Sequence, residues 1–219
     1  MIEQHTLTFL AELAENNHRE WFEDNRKRYQ QAKENFLFFI DRLIPEMQQF
    51  DPGVHDQMAK NCMFRINRDI RFAKDKSPYK TNFAASIAKG GKKSPFAGYY
   101  IHVKPGESMA GGGNYQPESS NLKKIRHHIE MRGEELREVI EEEEFKEYFG
   151  ELRGARLKTA PKGYPKDHPD IELLKYKGFY VMKSFSDEEV QSDDWLDDTL
   201  ETFQALYPLN NFLNEALEN

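Results

Sequence analysis

The spacing of apolar residues changes period along this chain, and that change constrains the fold more than any other feature. Leu7, Leu10 and Leu13 begin a helical stripe, and Asn16-Asn17 stops it. A longer stripe with a period of about 3.6 follows through Phe22, Tyr29, Phe36, Ile40, Leu43 and Met47. Pro45 is expected to kink or restart that helix, and Asp51-Pro52-Gly53 is a turn signal. The period then falls to two. Cys62, Phe64, Ile66, Ile70 and Phe72 alternate with Arg65, Asn67, Asp69 and Arg71, which predicts a half-buried strand over 62–72. Ser77-Pro78-Tyr79-Lys80 reads as a type I turn.

Further strands are expected at 83–88 and 98–104, with a hairpin through Pro105-Gly106 to 107–112. In 98–104, Tyr99, Ile101 and Val103 should be buried, and Tyr100, His102 and Lys104 should face outward. Helical patterns return after Pro117. One runs to about Ile129, and Gly133 separates it from a Glu-rich helix ending near Phe149. Residues 154–170 read as loop, 178–185 as a strand, and 193–206 as a closing helix behind a capping box at Ser186. The expected fold is α+β, a largely antiparallel sheet packed by N-terminal and C-terminal helices. Residues 1–219 read as one domain: 1–50 helical, 60–115 a sheet with a basic motif, and 116–219 helices plus one strand.

Charge is distributed unevenly. The 219 residues carry a net charge of −7, which argues against broad nucleic-acid binding. Between Arg65 and Lys93, however, stand nine Lys/Arg against two Asp. There is no run of 18 apolar residues, so no membrane span is expected. The N-terminus lacks a signal pattern and Cys62 is the only cysteine, so a cytoplasmic location is expected. A Cys-based zinc site is excluded and no HExxH spacing exists, so no metal site is expected. Phosphate-loop, dinucleotide and Ser-nucleophile signatures are absent.

The segment from Arg65 to Lys80 carries the chemistry. Arg65, Asp69 and Arg71 fall on one face of the expected strand, where two forked cations flanking a carboxylate suit a phosphate-like anion. Lys76 and Lys80 add point charges and Tyr79 a hydroxyl. Arg68 falls on the apolar face, so it should be buried and paired, with Asp75 or an acid from elsewhere a better partner than Asp69. Arg68→Ala should then cost roughly 3–5 kcal/mol. Gly111-Gly112-Gly113 at a strand end would bring backbone N–H groups to a ligand, beside the positive end of the helix after Pro117. Asp69, Tyr79 and His102 are the groups available for proton transfer.

The order Arg65, Arg68, Asp69, Arg71, Phe72, Asp75, Lys76, Tyr79 matches the pattern R-x-x-R-D-x-R-F-x-x-D-K-x-x-Y. In this it resembles the uncharacterised proteins grouped as domain of unknown function 2461. FLAELAENNHREWFEDNRKRY, GGGNYQPES and PKGYPKDHPDIELLKYKGFYV extend the likeness over nearly the whole chain. The resemblance implies no activity, because the family has none established. Three functions fit the residues: a site for a phosphate-bearing small molecule, with or without chemistry on it; a module tracking a nucleic-acid backbone; or an Arg/Asp network that only holds the fold. On the first reading Arg71→Ala should abolish anion binding.

Overall fold

The computed structural model describes residues 1–218. Three helices open the chain: α1 (Gln4–Glu15), α2 (Arg19–Asp24) and α3 (Arg26–Met47). The expected stripe is the buried face of α3, with Phe36, Ile40, Leu43 and Met47 in the core. Pro45 does not interrupt that helix, because it falls in the last turn. The turn after it forms as expected, with the Asp51 carboxylate accepting the Gly53 amide at 2.8 Å.

The sheet is an antiparallel meander of four strands in the order β1-β2-β3-β4: Phe83–Ala88, Gly98–Val103, Ser108–Asn114 and Phe179–Phe185. Period two sorts its side chains as expected. Tyr99, Ile101 and Val103 are almost completely buried, while Tyr100, His102 and Lys104 are partly exposed. Tyr99 stacks toward Phe203 at 4.9 Å, and Phe83 toward Phe36 at 5.7 Å. The helices from both ends of the chain therefore cover one face of the sheet. The register places Ser86, Tyr100, Gly111 and Met182 in one row of the opposite face, and Ala88, Gly98, Gly113 and Tyr180 in the next.

Residues 62–72 do not form the expected strand. Cys62 ends a short helix, α4 (Ala59–Cys62), and only Met63 bridges to Ala85 on the outer edge of β1. The alternation beyond it belongs to a loop whose polar groups bond to one another, so the chain leaves the sheet. The intended register fails visibly at Phe72, which is 96% exposed.

Between β3 and β4 lie α5 (Ser119–Glu141), α6 (Glu143–Phe149) and α7 (Ile171–Leu174). Gly133 marks a close approach rather than a helix end. α5 kinks at Arg132, and a Cβ on Gly133 would collide with the Asp170 carboxylate, which Arg137 holds. After β4 come α8 (Asp187–Gln191), capped by Ser186 and Glu189 as expected, and α9 (Trp195–Glu218). α9 is longer than expected because Phe212, Leu213 and Ala216 keep its apolar stripe in the core past Pro208. Among the described residues no helix is long and apolar enough to cross a membrane.

The glycines of β3 set the sheet's thickness. A Cβ on Gly111 would overlap the Val181 carbonyl oxygen and the Met182 Cα, both backbone atoms that cannot swing aside. Gly111→Ala is therefore expected to cost about 3 kcal/mol or more. Gly106, in the β2–β3 turn, has φ +72° and nothing within 4 Å of a Cβ, so Gly106→Ala should cost only about 1–2 kcal/mol of backbone strain. Urea denaturation of the two variants checks the order, and equal losses would mean that β4 yields to the extra methyl.

Candidate functional site

The basic segment is a loop closed at its base by a short ladder. Lys80 N donates to the Ile66 carbonyl at 2.8 Å and Arg68 N to the Pro78 carbonyl at 2.9 Å, with Asn67 opposite Tyr79. Both carboxylates of the loop are paired inside it, with Arg71 and Arg68. Arg71 donates from Nε and Nη2 to Asp69 at 2.9 and 2.7 Å. Arg68 pairs with Asp75 and donates to the Ser77 carbonyl at 3.2 Å. Lys76 Nζ donates to the Ile70 carbonyl at 3.0 Å. The Asp75 carboxylate accepts the Ser77 hydroxyl at 2.6 Å and the Ser77 amide at 2.9 Å. These two bonds, and then Arg68, hold Asp75 well below the usual carboxylate range. The expected type I turn at 77–80 is replaced: the Lys80 amide goes to Ile66, and the chain turns at Asp75, whose carboxylate takes the Ser77 amide. Tyr79 is buried and stacks on Phe22 at 3.9 Å, while Asn17 bonds both its amide and its carbonyl. It anchors the loop to α2.

Arg65 and Lys80, at the base of the loop, behave differently. Lys80 Nζ lies 5.3 Å from the Phe64 ring centre and Lys92 Nζ lies 5.8 Å from it. Burial, then Arg65, then Lys92 hold the Lys80 ammonium below its ordinary value. Among the described residues Arg65, Lys80, Lys92, Lys93 and Arg153 form no ion pair, whereas Arg68 and Arg71 do.

Lys92, Lys93 and Arg153 line a cleft of about 1070 Å³ on the uncovered face of the sheet, and Lys80 lies against its Phe64 edge. Its floor is built from Tyr100 on β2, Gly113 on β3, and Tyr180 and Met182 on β4. Phe64 closes the β1 side. Arg153 stands at the β4 side, where its backbone exchanges bonds with Tyr180 at 2.8 and 3.1 Å. Lys92, Lys93 and Phe96 form one wall, Tyr115 and Glu118 the other. Asn114 ties the walls together by donating to the Pro95 carbonyl at 2.8 Å. Glu118 is the N-cap of α5, so the positive end of that helix faces the cleft as expected.

The structure therefore divides the sequence candidates. Lys80 packs on Phe64 at the edge of the cleft with Arg65 close to it, and neither lines the cavity itself. Arg68, Asp69, Arg71 and Lys76 are bonded within the loop, and Tyr79 is in the core. Gly111, Gly112 and Gly113 are not at a strand end. They lie inside β3 and pair with β2 and β4 on both sides, so their amides are taken up in the ladders. Gly111 and Gly113 serve the cleft by having no side chains, while Gly112 faces α9. Lys92, Lys93, Tyr100, Tyr115, Arg153 and Tyr180 were not singled out from the sequence as site residues. An aromatic on the outward face of a strand, Tyr100, was the available signal. Among the described residues no three of His, Cys, Asp and Glu converge as a metal site would require.

Tyr100 Oη lies 3.1 Å from His102 Nδ1, and Asn82 Nδ2 lies 3.4 Å from the same atom. Burial, then Lys104, lowers the His102 pKa from 6.5, with Glu107 opposing. The unfolded chain thus takes up this proton first. The stability His102 contributes is complete above pH 6.5 and is lost as pH falls through its lower folded value. His128 shifts in the same direction. In a His128→Gln background, His102→Gln should flatten the decline in melting temperature between about pH 6.5 and 5. An unchanged profile would mean that folding does not perturb His102. Arg68→Ala should cost well under the 3–5 kcal/mol of a buried pair, because its side chain is 28% and that of Asp75 62% exposed. Urea denaturation decides, and a loss in that higher range would mean that the loop is part of the cooperative core.

No curated protein and no solved structure matches the chain. The family model described as conserved hypothetical protein (DUF2461) matches residues 5–212, and the chain belongs to that family.

Proposed function

We propose that the cleft binds an organic anion bearing phosphate or a phosphate-like group. The observation that carries this reading is the set of cations at it: Lys92, Lys93 and Arg153 line the cleft and Lys80 lies against its Phe64 edge, none of them in an ion pair among the described residues. Burial, and after it repulsion from Arg65 and Lys92, disfavours the Lys80 ammonium in the free protein and lowers its pKa. An anion placed among them removes that repulsion. In a chain of net charge −7, carboxylates to neutralise them are plentiful, yet none is used here. The aromatic floor suits the organic part of such a ligand. The Tyr100–His102 pair on the same face favours a second reading, proton transfer to or from the bound molecule, with His102 largely neutral near pH 7.

Thermal melts with phosphate, pyrophosphate, nucleotides and sugar phosphates test the binding. A ligand at a hundredfold excess over Kd adds about 2.7 kcal/mol of stability. At least one organic phosphate should raise the melting temperature. The Lys80→Gln, Lys93→Gln double variant should lose that rise while melting no lower than wild type without ligand; Lys92 is kept because it also donates to the Met63 carbonyl. Arg71→Ala should keep it, because Asp69 already neutralises Arg71. A flat response in wild type, together with a less stable double variant, would overturn the proposal and leave these lysines a structural role.

A further inference from the structure

We propose that the ligand of this cleft is a short single strand of nucleic acid, laid across the strands of the sheet. The inference rests on the anion reading above and adds the shape of the charge and the placement of the rings.

The cations are not gathered at one point. Phe64 donates its amide to the Ala84 carbonyl at 2.9 Å, so the segment bearing Phe64 and Arg65 runs along the outer edge of β1. Arg153 runs along the outer edge of β4. Five inter-strand spacings separate these two segments, about 24 Å at 4.8 Å each. A single phosphate group cannot bridge them. A strand rising about 3.4 Å per nucleotide crosses that distance with roughly seven nucleotides, fewer if extended.

Rings occur along the same line. Phe64 stands at one edge, Tyr100 on β2, and Tyr180 on β4, with Tyr115 beside Tyr180 at 4.9 Å. All are partly exposed, Tyr115 at 59%. Between Tyr100 and Tyr180, β3 contributes Gly111 and Gly113 to this face, leaving a trough about 9–10 Å wide from strand to strand. Bases stack on rings presented this way without regard to sequence, while spaced cations follow the backbone. Beyond Phe64, the basic loop carries the exposed ring of Phe72 beside Arg71, on the side from which a longer strand would arrive. A duplex hides its bases and is too wide for the trough, so duplex binding is not expected.

Fluorescence anisotropy with a labelled, mixed-sequence single strand of roughly eight nucleotides tests this, against the matching duplex, adenosine monophosphate and pyrophosphate. The strand should bind most tightly. Its affinity should fall with salt at a log–log slope near −3, about 0.7 for each of some four or five phosphates neutralised. Tyr100→Ala and Tyr180→Ala should each weaken it about 5- to 150-fold, and the Phe variants should restore it, since stacking needs the ring and not the hydroxyl. Arg153→Gln, at an exposed position, should weaken the strand by a larger factor than pyrophosphate, and it tests the idea even if a Tyr→Ala variant fails to fold. Pyrophosphate or the mononucleotide binding as tightly as the strand, with Arg153→Gln silent, would overturn the nucleic-acid assignment and leave the anion site standing. No binding by any member would overturn both.

Discussion

The close approach of α9 to the middle of the sheet organises the rest of the molecule. At Gly112, on β3, a Cβ would come within 2.9 Å of the Leu206 side chain. Ala110, two residues earlier, is completely buried. β3 therefore presents almost no side-chain volume to the helix, and α9 settles where larger residues would hold it away. Tyr99 and Phe203 fill the space beside that contact, and Trp195, stacked on Phe39 at 4.2 Å, joins α9 to α3. With both terminal helical regions engaged on one side, the other face is closed only by loops. The cleft follows from that asymmetry.

The small residues of β3 act on both faces at once. Gly111 and Gly113 point away from α9, and their missing side chains deepen the cleft between Tyr100 and Tyr180. The same residues let β2 and β4 pair closely on either side, since a Cβ at either glycine would strike the backbone of β4. Fold and cleft thus make one demand on the sequence here. A substitution in this strand disturbs the site by way of the sheet, whatever it would have contributed to a ligand.

Much of this was legible in the sequence where local pattern and long-range packing agree. Residues 83–88, 98–103 and 179–185 are strands because their alternation continues across paired neighbours. Residues 62–72 alternate just as clearly and do not pair, because Asp69 and Asp75 offer Arg71 and Arg68 partners within the same loop. Local ion pairs at separations of two and seven residues satisfy the polar groups, and no strand is needed. Spacing alone does not reveal that closure. The Arg/Asp motif drew attention as a ligand site, yet its most conspicuous cations are the ones already neutralised. The members nearest the cleft, Arg65 and Lys80, lie at the motif's ends, and the cations that line it, Lys92, Lys93 and Arg153, come from segments with no pattern to mark them.

What distinguishes these two groups of cations is the free energy of leaving a charge unpaired. Arg71 is highly exposed and bound to Asp69, so its charge is both hydrated and balanced. Lys80 is half-buried, rests against an aromatic ring, and has Arg65 and Lys92 rather than a carboxylate for neighbours. Phe64 recovers part of the lost hydration through its ring face. The rest of that cost persists in the free protein, together with the smaller repulsion from Arg65 and Lys92. A fold selected only for stability would place an acid there, as this chain does at Arg68, Arg71 and Arg137. On the proposed reading, that repulsion is the binding energy held ready: an anion entering the cleft meets cations that no internal carboxylate must first release, so its attraction is not spent on breaking existing pairs.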